Sequence, residues 1–95
     1  MNQAKGKPRI PCPDRTVYRG RDREGPDFDD ECYLCGRSVV SSRCDWIHLS
    51  NGNELIHPSE VKALGRDPDD SMGCFPVGSS CARKVPKGYL IRFSD

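Results

Sequence analysis

Six cysteines and two histidines carry the chemistry available to this 95-residue chain. Cys32-Tyr33-Leu34-Cys35-Gly36 is a C-x2-C-G knuckle. Two intervening residues let both sulfurs reach one ion, while N–H groups in the turn point at them. Gly36 can take the positive φ that such a turn needs. A redox C-x-x-C is the competing reading, but that motif opens a helix in a βαβ unit. Here Arg37-Ser38-Val39-Val40 follows, which reads as a strand. A disulfide scaffold requires an oxidising compartment, and the residues from Met1 to Arg15 lack the apolar stretch of a secretory leader. A cytoplasmic location is therefore expected, with one structural Zn2+ held by four N or S ligands.

Cys32 and Cys35 supply two ligands. Cys81 is the third, because Ser79 or Ser80 can cap a short helix carrying it in the first turn, with Pro86 ending that helix. There the helix dipole and free N–H groups would stabilise a thiolate. His48 is the fourth, on a hairpin strand that could aim its imidazole at the knuckle. His57 falls on the same predicted face and is its first substitute, and Cys74 is another. Cys44 and Cys74 also read as small buried residues. Cys12 reads as a free thiol far from the rest.

The elements around these residues follow from local signals. Asn51-Gly52 between two apolar stretches predicts a hairpin through a type I′ turn. A two-residue loop pairs Ser50 with Asn53, His48 with Leu55 and Trp46 with His57. Trp46, His48, Leu55 and His57 then share one face, and Ile47, Leu49, Glu54 and Ile56 the other. Pro58 to Gly65 predicts a short helix, with Ser59 as N-cap and Gly65 just past its end. Arg66 to Ser71 reads as a solvated acidic connector that lacks the pattern of an EF-hand loop. Lys87 to Phe93 predicts a last strand.

Composition limits what this frame can do alone. Leu, Ile, Val and Phe number 18 of 95 residues, against nine Gly and eight Pro. That is a thin core with many turns. No apolar run approaches the roughly 18 residues that cross a bilayer as a helix. Residues 1–31 read as a flexible tail of split charge, and residues 32–95 as the zinc-binding domain. Residues 1–23 carry a net +5 and residues 24–31 a net −5, while the whole chain is only +1. The acidic block weakens any pull of the basic one on nucleic acid. The fold class expected is small α+β, a zinc knuckle with a β-hairpin and a short helix.

The C-x2-C-G knuckle, the W-I-H-L stretch before Asn-Gly, and Gly73-Cys74-Phe75-Pro76-Val77-Gly78-Ser79-Ser80-Cys81-Ala82 resemble a group of short zinc-binding proteins of bacteriophages and their bacterial hosts. Most of that group has no assigned function. The resemblance covers about residues 32–86, and G-x-x-P-V-G-x-x-C-A is its most specific part. It implies Cys32, Cys35, His48 and Cys81 as ligands, with Cys74 at a position an aromatic would also fill. It implies phage or prophage origin, and so the host cytoplasm. The order knuckle, hairpin, helix-borne ligand also resembles a treble clef, a fold with many roles.

Three function classes remain. The first is a zinc-stabilised binding module for nucleic acid or its machinery. Arg83, Lys84, Lys87 and Arg92 would meet phosphates, and Tyr89 and Phe93 would offer stacking surfaces. The same class includes a module that modulates a host protein, through a tail that orders on binding. The second is an HNH-like nuclease, but the Asp-His dipeptide of that motif is absent, as is the H-x-E pattern of zinc deaminases. No enzymatic activity is expected. The third is a redox or metal-handling role through exposed thiols. Neither a membrane partner nor a small-molecule substrate is expected, and a monomer is expected rather than a dimer. Residues 32–93 form a domain of the size that is marginal alone. A structural zinc contributes on the order of 10 kcal/mol or more at neutral pH. Chelation is therefore expected to collapse the dispersion of the amide NMR spectrum, and an unchanged spectrum after metal removal would refute this.

Overall fold

Alternation along one strand, β4 (Asp45–Ser50), organises the molecule in the computed structural model, which describes residues 7–93. Ile47 and Leu49 are completely buried on its inner face. Trp46 and His48, one residue out of phase, project from the outer face. β4 is central in a four-stranded antiparallel sheet of order β1-β5-β4-β6. The other members are β1 (Ile10–Pro11), β5 (Glu54–Leu55) and β6 (Ser71–Val77). β2 (Asp30–Glu31) and β3 (Ser38–Val39) form a second antiparallel pair. Two short helices, α1 (Pro58–Leu64) and α2 (Ser79–Ala82), and a 3-10 turn at Lys87–Tyr89 complete a small α+β fold. No helix among the described residues is long and apolar enough to cross a membrane.

The hairpin forms, but its register differs by one residue from the sequence expectation. Asn53 N–H donates to the Ser50 carbonyl at 2.9 Å, closing the turn. Neither Asn51 nor Gly52 takes a positive φ; Asn53 does, at 60°. The loop is thus one residue longer than a type I′ turn allows. Leu55 now opposes Leu49, and Ile56 N–H donates to the His48 carbonyl. A slip of one residue exchanges the two faces of a strand. It places Leu55 in the core, and burying a leucine side chain is worth about 2 kcal/mol. That outweighs the local preference of Asn-Gly.

β6 is the long partner of β4, paired from Asp45↔Val77 to Leu49↔Gly73. Its sequence hides it, since Gly73 and Pro76 both interrupt strand propensity. Pro76 is tolerated because β6 is an edge strand and Pro76 lies opposite Trp46, whose N–H and carbonyl both bond to Ile91 instead. The expected final strand is reduced to that bridge at Ile91. Tyr89 is buried in the core, with its hydroxyl donating to the Pro8 carbonyl, so it offers no stacking surface.

Within residues 7–31, the stretch expected to be a flexible tail is laid over the domain. Ile10 pairs with Leu55, and Cys12 is buried in the core. The Arg9 guanidinium spans Glu60 and Asp70, with contacts of 2.6 to 3.2 Å. That fork ties β1 to α1 and to the loop before β6, a geometry lysine cannot copy. Residues 15–18 run along the knuckle: Thr16 N–H donates to the Leu34 carbonyl and Tyr18 N–H to that of Cys35. Residues 1–6, including Lys5 of the basic block, lie outside the described residues.

Two carboxylates fasten the rest of the segment in the same way. Asp22 accepts from the N–H and hydroxyl of Ser38, and Asp29 from those of Ser41. These bonds hold both carboxyls below the usual Asp value. A folded-state pKa lowered in this way contributes stability above the unfolded value, about 3.9, which is lost as pH falls through the folded one. In an NMR titration the Ser38 and Ser41 amides are expected to shift with midpoints below about 3.9. Midpoints at or above the free-Asp value would show that the carboxylates do not fasten this segment.

Candidate metal centre

The knuckle is built by its own turn. Gly36 has φ 83°, and its N–H donates to the Cys32 carbonyl at 2.8 Å. Cys32 N–H returns to the Arg37 carbonyl at 2.8 Å. The chain therefore doubles back within six residues and leaves Cys32 and Cys35 on one side. The third thiol arrives from β6, which turns at Gly78 into α2 and delivers Cys81.

The sulfurs of Cys32, Cys35 and Cys81 all lie within 4.8 Å of one another. A tetrahedral metal with thiolate bonds of about 2.3 Å spaces its sulfurs about 3.8 Å apart, so the three could hold a metal ion with little movement. Cys32 and Cys81 are buried and Cys35 is half-buried.

Electrostatics separates Cys32 from Cys81. Burial opposes ionisation of Cys32. The N–H groups of Gly78, Leu34 and Cys35, with the Cys35 thiol, outweigh it and hold the Cys32 thiol below its usual value. Cys81 goes the other way, pushed up to about 12 by burial and then by the neighbouring Cys35 and Cys32 sulfurs. The helix-dipole expectation for Cys81 is thus reversed. A helix of four residues carries little dipole, and a second anion beside Cys32 is costly where water is excluded. Of these two thiols, Cys32 is thus the one whose surroundings favour the thiolate. A divalent ion would supply what lets all three ionise together.

No known protein family, curated protein or solved structure matches the chain.

His48 does not join the three thiols. It sits on the outer face of β4, with Nε2 2.6 Å from Ser71 Oγ. The inner positions on either side belong to Ile47 and Leu49, and strand alternation sends His48 away from the knuckle. Its two substitutes fail for related reasons. Cys74 opposes His48 across the β4–β6 ladder and lines the same cavity beneath α1. His57 caps α1, with Nδ1 accepting from Ser59 N–H at 3.0 Å, where Ser59 was expected to be the cap. Gly65 ends α1 at φ 75°, the position its sequence indicates.

The remaining thiols are separate. Cys44 Sγ lies 3.7 Å from the Ser41 carbonyl. Cys12 is a free thiol, as expected, but it lies in the core rather than in a tail, and burial pushes its thiol up. Of the four expected phosphate contacts, Arg83, Lys84 and Lys87 are exposed, whereas Arg92 pairs with Asp45 at 3.3 Å.

Sequence reading missed a hollow of about 350 Å³ beside the thiols. Cys35, Gly78 and Cys81 line it, together with Arg19, Arg23, Arg37 and Lys84. The one local hint was Thr16-Val17-Tyr18, a strand-prone triplet within the presumed tail. Replacing Cys32, Cys35 or Cys81 singly with Ser is expected to weaken metal affinity by about 100-fold or more, while His48→Ala keeps the metal stoichiometry. Native mass spectrometry reads both. Loss of metal in His48→Ala would restore the histidine as a ligand.

Proposed function

We propose that this chain is a small zinc-stabilised binding module that acts on nucleic acid. One Zn2+ would sit on Cys32, Cys35 and Cys81, a donor set of soft thiolates suited to zinc. In this reading the knuckle, the β4–β5 hairpin and α2 make a treble-clef-like frame, and the metal fastens the knuckle to the end of β6. The metal would lock two segments distant in sequence, the knuckle and α2, and offset the thiolate repulsion.

The observation that supports a polyanionic partner is the charge around the hollow. Arg19, Arg23, Arg37 and Lys84 line it, and among the described residues no carboxylate does. Several acidic residues of the same segment are engaged elsewhere. Asp22 and Asp29 face Ser38 and Ser41, and Asp30 and Glu31 form β2. Docking thus points Asp22 and Asp29 at hydroxyl and backbone groups of the domain, while Arg19 and Arg23 line the hollow. Arg83 and Lys87, both exposed, extend the positive surface from α2 to the 3-10 turn. The partly buried Tyr18, under the Arg37 guanidinium at 4.6 Å, supplies an aromatic wall next to the cations.

Four phosphate contacts to a single strand give a slope of log affinity on log salt of about −3. Fluorescence anisotropy with short single-stranded DNA and RNA is expected to give that slope. Arg19→Ala with Lys84→Ala should make it shallower by about 1 to 1.5. No binding at low salt, or a slope indifferent to the two substitutions, would defeat the reading and leave a protein partner as the alternative.

A further inference from the structure

The thiol triad offers three ligands, and a tetrahedral ion needs four. Among the described residues, no fourth His, Cys, Asp or Glu brings a ligand atom within 4.8 Å of all three sulfurs. Cys35 and Cys81 form part of the wall of the hollow, whereas Cys32 is 2% exposed and lies behind them. A fourth ligand reaching the triad from solvent comes through this hollow.

Its size and charge state what that ligand is. About 350 Å³ is far more than one water needs and falls in the range of small-ligand pockets. Three thiolates and a divalent ion sum to −1. The four lining cations bring +4. The balance of +3 suits a phosphate monoester, close to −2 at neutral pH, better than a carboxylate. The planar fork of a guanidinium matches a pair of phosphate oxygens in a bidentate contact. Arg37 Nε is buried without a hydrogen-bond partner, although its guanidinium sits over Tyr18. Val17 and Tyr18 leave an apolar wall for the organic part of the ester.

We infer that a phosphate monoester group enters this hollow, held by Arg19, Arg23, Arg37 and Lys84, and that one of its oxygens completes the coordination of the metal on Cys32, Cys35 and Cys81. This rests on the reading of the triad as a metal centre. The phosphate oxygen replaces a water on the ion, and no covalent bond to carbon or phosphorus is made or broken. The ester could be a free nucleotide or the phosphorylated end of a nucleic acid.

The test uses the full chain with Co2+ in place of zinc. Thiolate-to-cobalt charge-transfer absorption reports the three sulfurs, and the d–d bands report the fourth position. Adenosine monophosphate is expected to shift the d–d bands saturably, and adenosine to leave them unmoved. Lys84→Ala, and separately Arg37→Gln, should raise the apparent Kd about tenfold while the charge-transfer bands stay intact. A 5′-phosphorylated oligonucleotide binding more tightly than the mononucleotide, with the 5′-hydroxyl form inert, would assign the site to nucleic-acid ends. Equal binding of the two phosphorylated probes would assign it to free nucleotides. Bands that phosphate does not move, that acetate or adenosine moves equally, or that both substitutions leave unaffected would overturn the inference. Absence of any charge-transfer band would instead overturn the metal centre itself.

Discussion

The placement of Ile47 and Leu49 against the knuckle constrains everything else. Both are completely buried, and neither could turn outward without exposing an aliphatic side chain worth about 2 kcal/mol of burial. Once they face inward, alternation puts Trp46 and His48 on the far side. The same choice requires Leu55 to join Leu49, and this draws the hairpin out of a two-residue turn and puts Asn53 in the left-handed region. It also leaves His48 to bond with Ser71 rather than with any ion near the knuckle.

The inner face therefore shares one buried cluster with the knuckle, made of apolar side chains and thiols. Cys32 and Cys81 belong to the same buried cluster as Leu34, Val39 and Val77. Such surroundings exclude water, which makes the N–H groups around Cys32 effective and makes a second nearby thiolate expensive. The opposite shifts of Cys32 and Cys81 are two consequences of one crowded geometry. Three thiols crowded into one water-poor site are poised for a cation, and Cys35 and Cys81 line the hollow beside them.

That hollow exists because residues 7–31 are docked. The backbone of Thr16 and Tyr18 bonds along the knuckle, Arg15 Nε donates to the Tyr33 carbonyl at 2.8 Å, and Asp22 and Asp29 grip Ser38 and Ser41. The charge split of this stretch finds its use here. Acidic side chains accept from backbone and hydroxyl groups of the domain, which leaves basic ones along the cavity. Arg9 serves attachment, since its fork is consumed by Glu60 and Asp70, and Arg23 does both, lining the cavity while its Nη2 donates to the Ser38 carbonyl at 2.6 Å.

Local chemistry made part of this legible in sequence. The knuckle with its left-handed Gly36, the short α1 ending at Gly65, and Cys81 carried by a helical turn after Gly78 depend on neighbours a few residues apart, and φ preferences and turn hydrogen bonds decide them. Cys32, Cys35 and Cys81 could accordingly be named from spacing. The face of His48, the strand hidden behind Gly73 and Pro76, and the docking of Cys12 and Asp22 could not. Each depends on which long-range pairing buries the most apolar surface and satisfies the most backbone groups, and a one-residue slip reverses the answer. The amino-acid sequence by itself determined that three thiols could meet. Only the tertiary structure decided that no histidine joins them and that a cationic hollow opens at their side, because burial of Ile47, Leu49 and Leu55 is settled across the whole sheet.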